Sequence, residues 1–555
     1  MLKKTGFFLL LVFLLSFFSY KSLLRPGYFP MHDDIQVIRV FEMDKCFRDG
    51  QLPCRFVPDM GYGYGYPQFI YYSPLPYYVM EIFHLLGFQF IDSVKIGFIL
   101  SFIFSGFSMF LLGKSLWGNL GGLVSALFYV YAPYRASDVY SRGAVGEFWA
   151  LVFLPLVFWA IFEFVKKEKF KYIAFLALSY AGLLLTHNLT SLAFTPVAVL
   201  WGIFLCFYFR KERLLVKLFL GGLWGIGFAS FFVLPLIFER RFVHLETMTY
   251  GYFNYLAHFV SLKQLFFSPF WGYGSSELGP YDDLSFAIGT FHWLFAFLAI
   301  IVAFFLRKKD EFSFLVAVFL GLVFFFSAFM THQRSVFIWN SLPFLSYFQF
   351  PWRFLVLVIF SASTLAGLIV NKVKTPKISF LITFLMVFGV IILNAFYFRP
   401  NEWYDISDKE KLSGVLWEKQ LTASIFDYLP IFAKAPPSKK APDLPEVIFG
   451  KGEIKEFHKG TNWQKGKILV KEGETMVRLP LFYFPNFKVW VDGEETAISY
   501  NNDLGLITFN LPQGEHQFLA KLENTPVRNL ADIFTLLSIL SFGGWIAYEK
   551  FYSKN

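Results

Sequence analysis

Residues 148–171 read FWALVFLPLVFWAIFEFVKKEKFK, an apolar run over 148–162 closed by lysines at 166, 167, 169 and 171. A run of this kind approaches the roughly 18 to 20 residues that carry a helix across a bilayer core, and a basic cluster at its end marks the cytoplasmic side. The pattern recurs in both directions, at 7–19, 217–238, 312–330 and 378–396. With 555 residues, 56% of them apolar and 16% charged, the chain does not suit a soluble assembly of its size.

The predicted architecture is an α-helical polytopic membrane protein. Hydropathy places about twelve spans, near 7–24, 93–113, 118–133, 148–165, 172–187, 190–209, 217–238, 287–306, 313–330, 354–370, 379–396 and 530–548. With the N-terminus inside, the cytoplasmic segments hold Lys3 and Lys4, Lys114, Lys166 to Lys171, Arg210 to Lys217, Arg307 to Lys309, Lys372 to Lys377 and Lys550. All are basic, so both termini are predicted to be cytoplasmic in the cell membrane. The formal charge of +10 is therefore topological and implies no nucleic-acid partner. The first block lacks a small-x-small cleavage site and reads as an uncleaved helix. Pro74 to Phe90, with two prolines, Glu81 and His84, reads as a helix in or dipping into the interface, since a span there would put the clusters at 166–171 and 210–217 outside.

Three outer segments are long, at 25–92, 239–286 and 397–529, and a short one lies at 134–147. Residues 1–396 are expected to form the membrane domain and 397–464 an outer linker, Pro-rich in part. Residues 465–523 alternate apolar and polar positions between turn signals at Asp492-Gly493 and Pro512-Gln513-Gly514, which predicts a small extracytoplasmic β-sandwich. The final helix and a cytoplasmic tail occupy 530–555. Cys46 and Cys54 share one polar loop and would pair if that loop is extracytoplasmic; two free thiols are the alternative.

The outer loops carry the chemistry. Met31-His32-Asp33-Asp34 follows the first helix, and adjacent carboxylates at a membrane edge are costly unless solvated, paired or metal-bound. The 134–147 loop packs Arg135, Asp138, Arg142 and Glu147 between two helices. If the two loops meet, Asp33, Asp34, Asp138 and Glu147 surround one extracytoplasmic mouth. Carboxylates there could supply a general base, and Asp34, Asp138 and Glu147 could hold a divalent cation, Mg or Mn. Arg135, Arg142, Arg240 and Arg353 are candidates for donor phosphate. A salt-bridged loop and helix-end snorkelling are the competing readings. Gly61-Tyr62-Gly63-Tyr64-Gly65-Tyr66 is an aromatic belt or a sugar platform, and His32, Tyr64, Tyr66 and Tyr72 are substrate-binding candidates on the second reading. His187 and Asn188 read as helix-end hydrogen bonders, and Tyr281-Asp282-Asp283 as a solvated turn.

The acidic pair after the first helix and the acidic loop after the third resemble the GT-C class of membrane glycosyltransferases. Over nearly the whole chain the sequence is similar to bacterial and archaeal membrane proteins called 6-pyruvoyl-tetrahydropterin synthase related, and to the YfhO-like family. That likeness rests on His32-Asp33-Asp34, Gly63-Tyr64-Gly65-Tyr66-Pro67 through Tyr77-Tyr78, Tyr140-Ser141-Arg142-Gly143 with Glu147, Pro351-Trp352-Arg353-Phe354, and Tyr483-Phe484-Pro485-Asn486-Phe487-Lys488-Val489-Trp490-Val491-Asp492-Gly493. The label does not imply pterin chemistry, which would need a histidine-built zinc site in a soluble barrel. The resemblance implies an inverting transferase that takes a sugar from a polyprenyl-phosphate donor in the membrane lipid and passes it to an envelope polymer or glycan acceptor. Asp33 and Asp34 would be the catalytic acids. A transporter or flippase of lipid-linked sugars, and a non-catalytic envelope scaffold, are the alternatives.

Overall fold

The computed structural model describes residues 2–279 and 281–552; the Lys3 side chain, Pro280 in the 239–286 loop, and residues 553–555 of the expected tail lie outside what is described. Nine helices among the described residues are long and apolar enough to cross a membrane. One of them, Phe90–Val130, runs 41 residues and breaks at Gly118 (φ 79°, ψ −178°), so it holds two spans. Two shorter apolar helices, Phe170–Leu184 and Thr290–Leu306, stand where the remaining spans were expected. Every expected span therefore has its helix.

The chain divides into two compact units. The first comprises residues 1–34, 91–227 and 249–405. Its most enclosed spans are Pro351–Asn371 and Val145–Lys167, 94% and 83% buried, whereas Pro376–Tyr397 is only 39% buried. Small residues let the backbones of Phe90–Val130 and Pro351–Asn371 close up. A Cβ on Gly121 would lie 2.7 Å from the Gly367 carbonyl, and Trp117 Nε1 donates to Thr364 O at 2.7 Å in the same crossing.

The second unit comprises residues 35–90, 228–248 and 406–555. It holds the helices Gln36–Arg48 and Leu75–Leu85, the last membrane span and a six-stranded antiparallel sheet. The strands are β1 (Glu446–Lys459), β2 (Trp463–Phe482), β3 (Phe487–Val491), β4 (Glu494–Thr496), β5 (Leu506–Leu511) and β6 (Gly514–Leu522). The 20-residue β2 organises them, since β6 pairs with its first half, β5 with its second, and β1 along most of its length. Alternate residues of β2, among them Ile468, Val470, Val477, Leu479 and Leu481, face a common core with Phe509, Phe518 and Leu522.

Two expected boundaries are corrected. Residues 35–90 and 239–248, within the stretch 1–396 assigned to the membrane domain, group with the sheet-bearing unit, where Phe56, Ile70, Tyr71 and Val243 are buried in the core of the sheet. The segment 397–464 is not a plain linker. It contains the short helix Gly414–Thr422 and all of β1, an edge strand in which exposed Ile448 and Phe449 and the glycines at 450 and 452 break the alternation. Leu75–Leu85 is an eleven-residue helix that includes Glu81 among its buried residues.

Candidate active site

The first unit brings the acidic pair and the acidic loop together through the backbone. His32 N donates to Ser141 O at 3.0 Å and Asp33 N to Arg142 O at 2.9 Å. This pairing needs Gly143, whose φ of +67° closes the turn and whose missing Cβ would otherwise lie 2.2 Å from Met31 Sδ. Ser137–Arg142 winds as a π-helical turn, a form that recurs at functional sites because it re-aims side chains.

Arg142 is the hub. It is 7% exposed and donates from Nη1 to Asp138 Oδ1, from Nη2 to Glu147 Oε2 at 2.9 Å, and from Nη1 to the Tyr134 hydroxyl at 3.2 Å. Tyr134 in turn donates to Glu147 Oε1. The Arg142 guanidinium lies 4.4 Å from the Trp352 ring centre, which orients it from the open side. Arg353 Nε stands 3.8 Å from Glu147 Oε2, while its Nη1 donates to Phe348 O at 2.9 Å and Gln349 Oε1 at 3.1 Å. Pro351-Trp352-Arg353-Phe354 thus delivers both the ring and the second guanidinium.

Two arginines and two carboxylates share this buried cluster. Burial, and next the neighbouring Glu147 charge, hold the Asp138 carboxyl well above the usual carboxylate range despite Arg142. The guanidiniums of Arg142 and Arg353 both face the Glu147 carboxylate. Beside it, burial pushes His187 down to about 3, and its Nδ1 accepts from Thr190 N at 3.3 Å as a helix cap. Asp33 is exposed and close enough to Arg353 for their charges to attract. Asp34 is half-buried, and after burial its charge is the second cause that pushes the Tyr28 hydroxyl well above its ordinary value. Exposed His32 binds Tyr273 O through Nε2 at 2.9 Å.

The residues do not fit the expected divalent cation. Arg142 already bridges Asp138 and Glu147, so the position between those carboxylates is filled by a guanidinium. No group of three or more His, Cys, Asp or Glu side chains among the described residues is arranged to hold a metal ion.

Other candidates fall elsewhere. Arg135 is fully buried, with the rings of Phe102, Tyr129 and Phe148 within 5.2 Å, inside the helix packing and not at an accessible phosphate position. Tyr64, Tyr66, Tyr72 and Arg240 belong to the second unit. There Tyr66 is buried and donates to Ser424 O at 2.8 Å, Tyr64 packs on Phe482, and Tyr72 lies under the Arg39 guanidinium at 3.7 Å. Tyr64 and Tyr66 offer no open sugar platform because the glycines between the tyrosines take positive φ and tuck the turn inward, Gly65 against Phe56. Arg240 is exposed, and its neighbour Glu239 is buried. Asp282, expected in a solvated turn, is buried and accepts from Ser276 Oγ, Glu277 N and Gln264 Nε2. Cys46 and Cys54 form a disulfide. Tyr134 and Trp352 were not among the expected site residues, although Tyr134 opens the 134–147 loop and Trp352 stands in Pro351-Trp352-Arg353-Phe354. Their signal was a ring one or two positions from a candidate charge.

A family model described as 6-pyruvoyl-tetrahydropterin synthase related domain, membrane protein, matches residues 69–426. An uncharacterized protein of Lactococcus lactis subsp. cremoris is 27% identical over 225 residues, a stretch that is 39% of this chain and 35% of that protein. Among solved structures, the apo oligosaccharyltransferase of Archaeoglobus fulgidus is similar with a TM-score of 0.43 at 9% identity, over 80% of this chain and 61% of that one. The arabinofuranosyltransferase AftD from Mycobacteria is similar with a TM-score of 0.44 at 12% identity, over 73% of this chain and 28% of that one.

Proposed function

We propose, from the premise that this chain belongs to the 6-pyruvoyl-tetrahydropterin synthase related family of membrane proteins, that it is a membrane glycosyltransferase. Its donor is a polyprenyl-phosphate sugar and its acceptor a hydroxyl of the cell envelope. The observation that carries this reading is the backbone pairing of His32-Asp33 with Ser141-Arg142, which sets the exposed Asp33 carboxylate near the guanidiniums of Arg142 and Arg353.

An exposed Asp33 beside buried arginines suits a general base next to a leaving-group site. Asp33 or Asp34 takes the proton of the acceptor hydroxyl as its oxygen attacks the anomeric carbon. The bond from that carbon to the phosphate oxygen breaks on the opposite face, its electron pair leaves on the phosphate, and the configuration inverts. Arg142 and Arg353 hold the departing phosphate, and Trp352 and Glu147 keep the guanidiniums in place. By the positive-inside rule the basic loops support an extracytoplasmic position for this mouth, where lipid-linked donors replace soluble nucleotide sugars.

The test is sugar transfer by purified full-length protein across a panel of polyprenyl-phosphate sugars. Asp33→Asn or Asp34→Asn is expected to lower turnover by about 100-fold or more with the fold intact. Full transfer by both variants removes the acid roles. Wild-type protein that transfers from no donor yet moves labelled lipid-linked sugar across vesicles is a flippase.

A further inference from the structure

The second unit contains a polar cavity of about 330 Å³ that the proposed transfer does not use. It lies between the Cys46–Cys54 loop, the start of β2 and the first turns of the last membrane span, Pro526–Phe551. Two buried arginines line it. Arg55, 7% exposed, donates to Asn524 Oδ1 at 3.0 Å and to Asp532 Oδ1 at 2.5 Å, and its Nε has no hydrogen-bond partner among the described residues. Arg528, 0% exposed, donates from Nε to Glu239 Oε2 at 2.9 Å and from Nη1 to Glu523 O at 3.3 Å, and its Nη2 likewise has none. Buried guanidinium N–H groups are costly to leave unmade, so two on one cavity call for a ligand with several acceptor oxygens.

Charge narrows the class. Arg55, Arg528 and the exposed Lys521 at the rim are offset by Asp49, Asp532 and the Glu239 bound to Arg528. A phosphate alone would leave this enclosed site negative, whereas a ligand carrying one phosphate and one ammonium keeps it neutral. Below the cavity, Leu530, Ile533, Phe534 and Leu537 form an exposed apolar stripe at helical spacing, 49–55% exposed, which suits acyl chains. We infer that this cavity binds the headgroup of a zwitterionic phospholipid, its phosphate on Arg55 and Arg528 and its ammonium toward Asp49 and Asp532, with the acyl chains along the last span. The bound lipid anchors the sheet-bearing unit at the bilayer surface. This site is separate from the proposed transfer site, and its test needs no sugar transfer.

The experiment is native mass spectrometry of delipidated full-length protein titrated with phosphatidylethanolamine, phosphatidylglycerol, diacylglycerol or soluble phosphoethanolamine. Phosphatidylethanolamine is expected to be retained at least about tenfold more tightly than the other three. Arg55→Gln is expected to abolish that preference. Since that change also releases Asp532, Lys521→Glu at the exposed rim serves as the second variant and is expected to weaken retention about fivefold. Retention of phosphatidylglycerol or diacylglycerol as tight as that of phosphatidylethanolamine overturns the proposal. Equal binding of soluble phosphoethanolamine overturns the lipid assignment, and wild-type retention by folded Lys521→Glu overturns the site.

Discussion

Gly143 carries the tightest constraint on the candidate site: its φ is positive and a Cβ would meet Met31 at Sδ, Cγ and Cβ. Gly143→Ala is expected to cost about 1 to 3 kcal/mol in stability, and to lower sugar transfer more than that loss explains, because His32-Asp33 would be pushed off Ser141-Arg142. Thermal unfolding and turnover of the same preparation check it. Arg142→Lys keeps the charge but gives up the planar fork that reaches Asp138, Tyr134 and Glu147 together. It is expected to lower turnover about 100-fold, with an intact fold, as steady-state kinetics would show. Asp138, Arg142 and Glu147 were legible in the sequence because three charges in a short loop between apolar helices need partners. Tyr134 and Trp352 were not, since a ring near a membrane edge is ordinary there and only contact with a guanidinium distinguishes it.

Among the elements, the Leu75–Leu85 helix carries a buried carboxyl that makes its stability depend on pH. Burial, and next the charge of Asp44 on the Gln36–Arg48 helix, push Glu81 from its ordinary 4.5 up to about 8. The folded protein therefore keeps a proton that the unfolded chain releases, and stability falls as pH rises between those two values. Below about 4.5 both states are protonated and the penalty is absent. Glu81→Gln, which stays neutral, is expected to flatten this part of the pH profile, as thermal unfolding from pH 4 to 9 would show. The helices themselves were readable because long apolar runs leave a membrane chain no other way to satisfy its backbone. Strand β1 was not, because exposed Ile448 and Phe449 and the glycines at 450 and 452 interrupt the alternation that marks β2.

At the scale of the whole molecule, the proposed sidedness predicts which surfaces water-soluble reagents reach. In a Cys206→Ser background, a cysteine replacing the exposed Asp503 is expected to react with a membrane-impermeant maleimide on intact cells. One replacing Lys169 is expected to react only after permeabilisation, and the reverse pattern would invert the topology and remove the transfer reading. The number and order of membrane helices, and the presence of a strand-forming segment before the last one, were determined by the sequence alone, because lipid and water sort apolar runs and alternating runs locally, residue by residue. Only the tertiary structure decided that Phe56, Ile70, Tyr71 and Val243 pack into the core of the sheet, and that Arg142 fills the space between Asp138 and Glu147 where a metal ion was expected. Both depend on contacts between segments far apart in the chain or turned by a local π-helical wind, and neither hydropathy nor charge spacing encodes which partner a buried group will meet.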